Sequence, residues 1–395
     1  MRKIYLDHSA TTAVHPEVLE VMLPYFAEHF GNASSAHGWG REAKVTIEQC
    51  REKIASFFGA SPKEIVFTSG GTESDNLAVT GAAWANQNKG KHIITSQIEH
   101  HAIMETCKYL SKQGFDVTYL PVDKYGLVDP ENVKKSIRPD TTLVSIMHVN
   151  NEMGAIEPIE EIGRIVRENG IHFHTDAVQS VGKLPIDVNK LNLDMFSLSA
   201  HKIYGPKGVG LLYIRQGTKI TPLFHGGHHE RGKRAGTENV SGIIGMSKAI
   251  EISHRDMDEY NQRMRLLADS FYKKLSDKIP DIFLNGHPAK RYCGIINISF
   301  KGVEGESIIL SSDMRGIAIS TGSACSSGTL EPSHVLAAMS VPPELTQGSI
   351  RFSFGRENNL EDIDYVIDVL SEVVSRLRAM SPIYQVDKSC DTSRE

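Results

Sequence analysis

Residues 171–210, IHFHTDAVQSVGKLPIDVNKLNLDMFSLSAHKIYGPKGVG, decide the reading of this chain. The run Ile171-His172-Phe173-His174-Thr175 has the length and character of a buried strand and hands over Asp176 at its end. A second run, Met195-Phe196-Ser197-Leu198-Ser199, hands over His201 and Lys202. Gly205, Pro206 and Gly208 then break the chain into a loop, and Gly208-Val209-Gly210-Leu211-Leu212-Tyr213-Ile214 reads as a third buried strand. Ligands of open parallel sheets lie beyond the carboxyl ends of the strands, so Asp176 and Lys202 are expected to face one crevice.

The pattern extends outward on the N-terminal side. Residues 1–14 read as a short strand and a polar turn, Pro16 and Glu17 open a helical pattern, and 41–58 has the periodicity of an amphipathic helix ending at Gly59. Strands are expected at 64–68, 92–96 and 143–148. From about 64 to 215 strands and helices alternate, which predicts an α/β fold with a mostly parallel sheet covered by helices on both faces. The first of these strands runs into Ser69-Gly70-Gly71-Thr72-Glu73-Ser74-Asp75-Asn76, which opens a helix. Backbone N–H groups at such a start can hold an anion, although the same residues also make an ordinary capped helix. It is not a Walker loop, because no Gly-Lys-Ser/Thr follows. An aspartate and a lysine at neighbouring strand ends suit pyridoxal phosphate, which needs a lysine for its Schiff base and an acid at its ring nitrogen. Read alone, Asp176 and Lys202 are equally a loop ion pair.

Composition bounds the rest. The 395 residues give length for one large domain and a smaller one, and a hydrophobic content of 40% with 23% charged residues is that of a soluble globular protein. A formal net charge of −5 without a basic run argues against nucleic-acid binding. No run reaches the length of a membrane span, and the N-terminus reads as lacking a signal peptide. Five scattered cysteines (Cys50, Cys107, Cys293, Cys325, Cys390) do not suggest a disulfide framework, so a cytoplasmic protein is expected.

In the second half, Phe224–Arg231 carries His225, His228 and His229 beside Glu230, which admits a metal reading; structural zinc sites, however, usually draw ligands from separate elements. A long charged helix is expected from about 244 to 278 as the connection to a small domain. The boundaries expected are 15–255 for a large cofactor-binding domain, with 1–14 and 256–395 forming the small one. Within it, Ser320-Thr321-Gly322-Ser323-Ala324-Cys325-Ser326-Ser327-Gly328 sets one cysteine among small residues, in a loop of about 320–333. A structural cysteine is normally surrounded by apolar side chains, so Cys325 reads as an accessible nucleophile. Arg351 and Arg356 flank a short strand, and a guanidinium fork suits a carboxylate. The tail from Val386 is polar.

Taken in order over roughly residues 1–384, these motifs resemble cysteine desulfurases of the NifS/IscS type, in the class-V group of fold-type I pyridoxal-phosphate enzymes. The resemblance implies conversion of L-cysteine to alanine, with the sulfur passing to Cys325 as a persulfide. It implies that Gly71 and Thr72 hold the cofactor phosphate, that His100 of Glu99-His100 stacks on the ring, and that Asp176 meets the ring nitrogen. It places Asn151, Gln179, Ser199 and His201 at the cofactor, makes Lys202 its covalent anchor, and sets Arg351 with Asn151 at the substrate carboxylate. Thr237 corresponds to a hydroxyl that reaches the phosphate of a second subunit, which implies a homodimer with a shared site. An iron–sulfur scaffold of the IscU/NifU type is the implied acceptor, with Cys325 a candidate shared cluster ligand; no resident metal, membrane or nucleic acid is implied. The loop fits the group with the longer, flexible cysteine loop. Other pyridoxal-phosphate reactions on this fold, a non-catalytic sulfur carrier and a metalloprotein built on the histidine loop are the competing readings.

Overall fold

The computed structural model describes residues 2–322, 333–382 and 384. Its strands are β1 (Ile4–Tyr5), β2 (Ile65–Thr68), β3 (His92–Ser96), β4 (Asp116–Leu120), β5 (Thr141–Ser145) and β6 (His172–Asp176). They continue with β7 (Met195–Ser199), β8 (Gly210–Ile214), β9 (Ile282–Asn285), β10 (Ile295–Phe300), β11 (Ile317–Ala318) and β12 (Ser349–Ser353). Seven of them form one sheet in the order β2-β8-β7-β6-β5-β3-β4. Only β8 runs against its neighbours, so the sheet is mostly parallel as the alternation predicts.

Side-chain alternation explains how one sheet serves two layers of helices. Met195, Leu212, Ile93 and Leu143 project into a cluster with Leu77, Ala78 and Ile103 of the helices Gly71–Asn86 and His101–Lys112. Phe196, Leu211, Ile94, Val144 and Phe173 project to the opposite face, into the largest cluster, with residues of Gly38–Phe57 and Val240–Arg255. Strands covered on both faces read as continuous apolar runs, and β7 and β8 are buried along their whole length.

A second apolar cluster joins Ile4 and Leu6 to Met264–Ile279, β10, β12 and the helix Leu360–Met380. The first residues of the chain are built into it: β1 pairs in parallel with β11, and Ser353 N–H donates to the Leu6 carbonyl at 2.8 Å.

Several boundaries differ from the sequence reading, among them those of one strand and one helix. The strand expected at 143–148 is Thr141–Ser145, after which single bonds continue toward β6, with His148 N–H on the Asp176 carbonyl at 3.0 Å. The helix expected at 244–278 is two helices, Val240–Arg255 and Met257–Lys278, broken at Asp256 (φ −100°, ψ 2°). At the break the Asp256 carboxylate receives Arg356 Nη1, from 100 positions away, at 2.8 Å and Nε of the adjacent Arg255 at 2.7 Å.

Candidate active site

At the carboxyl edge of the sheet, β6 ends on Asp176, which is 6% exposed and accepts the Val178 N–H at 2.9 Å. Burial pushes its carboxyl up to about 6, opposed by that N–H and by the Lys202 ammonium, which leaves it ionised at neutral pH. Behind it lies Asp75, buried on the helix Gly71–Asn86, with its acidity weakened by burial and by the Asp176 charge. His174, fully buried beside Asp75 (3.7 Å), is bracketed by the hydroxyls of Ser145 (2.9 Å) and Ser197 (3.0 Å), and burial lowers it to about 3.

The turn Ala200–Lys202 follows β7 directly. Lys202 Nζ donates to the carbonyls of Ser9 (2.6 Å) and Ala10 (2.7 Å). The same N-terminal segment clamps the turn elsewhere. Thr12 N–H and Oγ1 both reach the His201 carbonyl at 2.9 Å, and His201 Nδ1 lies 3.1 Å from Thr11 Oγ1. Burial, then Lys202, lowers His201 to about 4. Ser199 ends β7 and is buried. Tyr204 sits in the left-handed region (φ 63°), an uncommon conformation for a bulky side chain. It is held there by Thr12 Oγ1 on its N–H at 2.8 Å and by the Arg356 N–H on its phenol at 2.7 Å.

Facing this turn, the helix Gly71–Asn86 opens on Gly70 with no side-chain cap. A Cβ on Gly71 would lie 2.8 Å from Val178 Cγ2, so the helix start sits hard against the turn that carries Asp176. Thr72 is exposed on that first turn. His100 caps the helix His101–Lys112 by accepting the Ala102 N–H at Nδ1 (3.1 Å), and burial, then Lys202, lowers it to about 4. The ring is therefore uncharged, and its protonated nitrogen is Nε2.

Arg351, 3% exposed on β12, donates to Asp7 Oδ1 (2.7 Å), the Asn151 carbonyl (3.0 Å) and the Gly322 carbonyl (3.4 Å). Arg351 and Asn151 are thus neighbours, through the Asn151 backbone carbonyl. Arg356 instead forms the structural ion pair with Asp256 and lies over Tyr204 and Tyr260. Gln179 is turned to the N-terminal segment: its Nε2 donates to the Ser9 carbonyl (2.9 Å), and its Oε1 receives Lys183 Nζ (2.8 Å). Thr237 is exposed within this single chain, as are His225 and His228, while His229 bonds to Ser34 and Gly236. Among the described residues no group of three metal-ligating side chains is assembled. Cys325 and Cys390 lie outside the described residues.

Sequence reasoning missed Lys183 and Glu152; by resemblance it placed the segment from Asp7 at the mouth of the site, but not the ion pair of Asp7 or the carbonyls of Ser9 and Ala10 as acceptors. Glu152 is 3% exposed and accepts the Ser333 hydroxyl at 2.6 Å; burial raises its carboxyl. None of these carries a local signal, apart from the position of Lys183 seven residues beyond Asp176.

The donor set suits pyridoxal phosphate. An uncapped helix start offers N–H groups for a phosphate, an ionised buried carboxylate suits a protonated ring nitrogen, an uncharged imidazole offers a flat face, and a lysine amine suits the carbonyl.

Residues 4–366 match the class-V aminotransferase family model, and the chain belongs to that family. Class-V enzymes work with pyridoxal phosphate. Among its relatives are the cysteine desulfurase IscS of Dictyoglomus turgidum, 56% identical over 97% of this chain and 98% of the relative, and that of Methanosarcina thermophila, 55% identical over 97% and 94%. A solved NifS-like protein superimposes with a TM-score of 0.90 at 40% identity, covering 95% of this chain and all of the other. A structure described as SspA in complex with cysteine gives 0.81 at 39% identity over 89% of this chain and 99% of the other.

Proposed function

We propose that this protein is a pyridoxal-phosphate-dependent cysteine desulfurase, which converts L-cysteine to L-alanine and receives the sulfur on Cys325. The observation that carries this reading is the convergence of Lys202, Asp176 and the Gly71 helix start at one sheet edge, closed by Ser9–Thr12. Near full-length identity above one half with named cysteine desulfurases supports the substrate.

When bound, the cofactor supplies a carbonyl and an electron-withdrawing ring that make the α-proton of cysteine acidic. The chain's own groups do the remaining work. N–H groups at Gly71 and Thr72 would hold the phosphate and His100 would offer its flat face to the ring, with Ser199, His201 and Gln179 as the remaining wall. Asp176, ionised at neutral pH, would hold the proton on the ring nitrogen. Lys202 would anchor the cofactor, and its Nζ is the group that would move the α-proton. Arg351, beside Asn151, binds the substrate carboxylate as a fork. The Cys325 thiolate attacks the substrate sulfur: an S–S bond forms, the carbon–sulfur bond breaks, and its electron pair stays with the carbon that becomes the alanine methyl. Around this centre, residues 15–255 form the cofactor-binding domain, and 1–14 with 256–395 the domain that presents Cys325.

Exposed Thr237 completes the phosphate site of a second copy in a homodimer. The persulfide is passed on in the cytoplasm to an iron–sulfur scaffold of the IscU/NifU type, where Cys325 is a candidate cluster ligand. The test is alanine and sulfide release from L-cysteine with added thiol, comparing the intact protein with Cys325→Ala. Equal yields of the two products from the intact protein, and less than one-hundredth of that rate from the variant, fit the reading. Equal rates in both proteins refute it.

A further inference from the structure

Lys183 is a buried lysine for which the chemistry above has no use. It lies seven residues beyond Asp176, where Gly182 (φ 72°) turns the chain against Ser253; a Cβ on Gly182 would meet the Ser253 Cβ at 2.7 Å. The turn aims Lys183 into an enclosed space that Lys202 also lines, with His8, Tyr260 and Tyr292, and no acidic residue borders that space. Lys183 is 7% exposed, and among the described residues no carboxylate lies within ion-pair distance of it. Its Nζ has Gln179 Oε1 at 2.8 Å and the Tyr292 ring centre at 5.2 Å. Gln179 in turn donates to the Ser9 carbonyl, which is one of the two acceptors of Lys202 Nζ. The buried Lys183 amine and the half-buried Lys202 amine are therefore joined through one glutamine and one carbonyl.

Resting on the reading of Lys202 as the cofactor lysine, we propose that Lys183 is a positioning residue for Lys202: through Gln179 it holds the Ser9 carbonyl that receives the Lys202 amine, and it places a second amine in the space that Lys202 lines.

The environment divides the proton between the two. Lys202 has two carbonyl acceptors at 2.6 and 2.7 Å, an arrangement that favours an ammonium. Lys183 has one amide oxygen. The charged groups that face it are Lys202 from the turn after β7 and Arg351 from β12, and the titratable ones are His8 from the N-terminal segment and the phenols of Tyr260 and Tyr292. None supplies a negative charge at neutral pH. Burial first, then Lys202 and Arg351, lowers Lys183 to about 7. Acidification below neutrality therefore adds a second cation to a space that has no counter-charge, and it does so beside Lys202.

Carbon-13 labelling of lysine Cε tests this in the full-length, cofactor-stripped protein, with the Lys183 resonance identified by its loss in Lys183→Met. A Lys183 midpoint near neutrality, rising by about one pH unit or more in Lys202→Met, is the expected result. A Lys183 midpoint at an ordinary lysine value, or one unmoved in Lys202→Met, overturns the proposal.

Visible-absorbance pH titration of the cofactor-loaded protein is the second readout. Lys183→Arg, a cation at every pH, is expected to place the absorbance midpoint about one pH unit below that of Lys183→Met. Identical midpoints in the two variants would mean a structural role alone and overturn the proposal. If Lys183→Met does not fold, Lys183→Gln replaces it in both comparisons. A protein that binds the cofactor without bonding it to Lys202 refutes the assignment of Lys202 itself, while the carbon-13 titration still decides whether the two amines are coupled.

Discussion

Arg351 Nη2 donates to Asp7 Oδ1 at 2.7 Å, joining β12 to the start of the chain across 344 positions of sequence. The contact gives Arg351 two tasks. It pins the N-terminal segment whose next residues, Ser9 and Ala10, receive Lys202, and it keeps a buried guanidinium neutralised beside Asn151.

Removing the counter-charge separates those tasks. Asp7→Asn is expected to destabilise the protein by about 2 kcal/mol, because the guanidinium is then left buried without its anion. It is also expected to lower KM for cysteine severalfold, since the fork is then free for the substrate carboxylate. Arg351→Ala is expected to raise KM at least tenfold. Thermal melting and steady-state alanine formation check both variants, and an unchanged KM in Arg351→Ala would remove Arg351 from the substrate site.

Asp176→Asn keeps the shape of the side chain and removes its charge. A neutral amide cannot hold the ring nitrogen protonated, so kcat is expected to fall by roughly 10²- to 10³-fold. Folding should survive, because the buried carboxylate is itself costly and Asp75 lies close behind it. Turnover and far-ultraviolet circular dichroism measured on the same sample separate the two effects.

Lys183 makes a prediction about stability as well. Its folded value of about 7 lies below the ordinary lysine value, so unfolding takes up a proton between about pH 7 and 10. Stability of the intact protein should therefore rise with pH across that window, with the full penalty present below it. Lys183→Met removes a penalty on the order of 4 kcal/mol, less the lost bond to Gln179. The variant is expected to melt higher at pH 7 and to converge on the intact protein near pH 10.

Glu99 gives the opposite sign. It is fully buried, accepts the Ser96 hydroxyl (2.6 Å) and the Met147 N–H (3.0 Å) through one oxygen, and burial raises it to about 8. Its folded value exceeds the unfolded one, so stability should fall as pH rises from about 4.5 to 8, with the loss complete above that. Glu99→Gln is expected to flatten this slope, raising the melting temperature by several degrees at pH 8.5 relative to the intact protein and by less at pH 5. Parallel slopes in the two proteins would show that Glu99 does not titrate in this range.

Much of the site was legible because its strongest signals are local. Asp176 and Lys202 stand at the ends of apolar runs, and Gly70-Gly71 before a helical pattern reads as an anion-binding start or an ordinary helix start alike. Other positions were legible only by resemblance. His100 carries no pattern of its own, and its use of Nδ1 as a helix cap emerges only when the next helix is in place. The unbroken helix read at 244–278 failed because nothing near Asp256 breaks a helix; one partner of the Asp256 carboxylate at the break, Arg356, is 100 positions away.

The sequence by itself determined the order of strands and helices, the mostly parallel sheet and the reactive groups at its carboxyl edge. These follow from side-chain period, chain breakers and residue chemistry, all of which act within a few neighbours. Only the tertiary structure decided which of those groups are charged and what holds them. Burial lowers Lys183 to about 7, Arg351 turns to Asp7, and Lys202 rests on the carbonyls of Ser9 and Ala10, because each meets residues brought together from distant parts of the chain. Burial and neighbouring charge set a proton's affinity, and both are properties of packing.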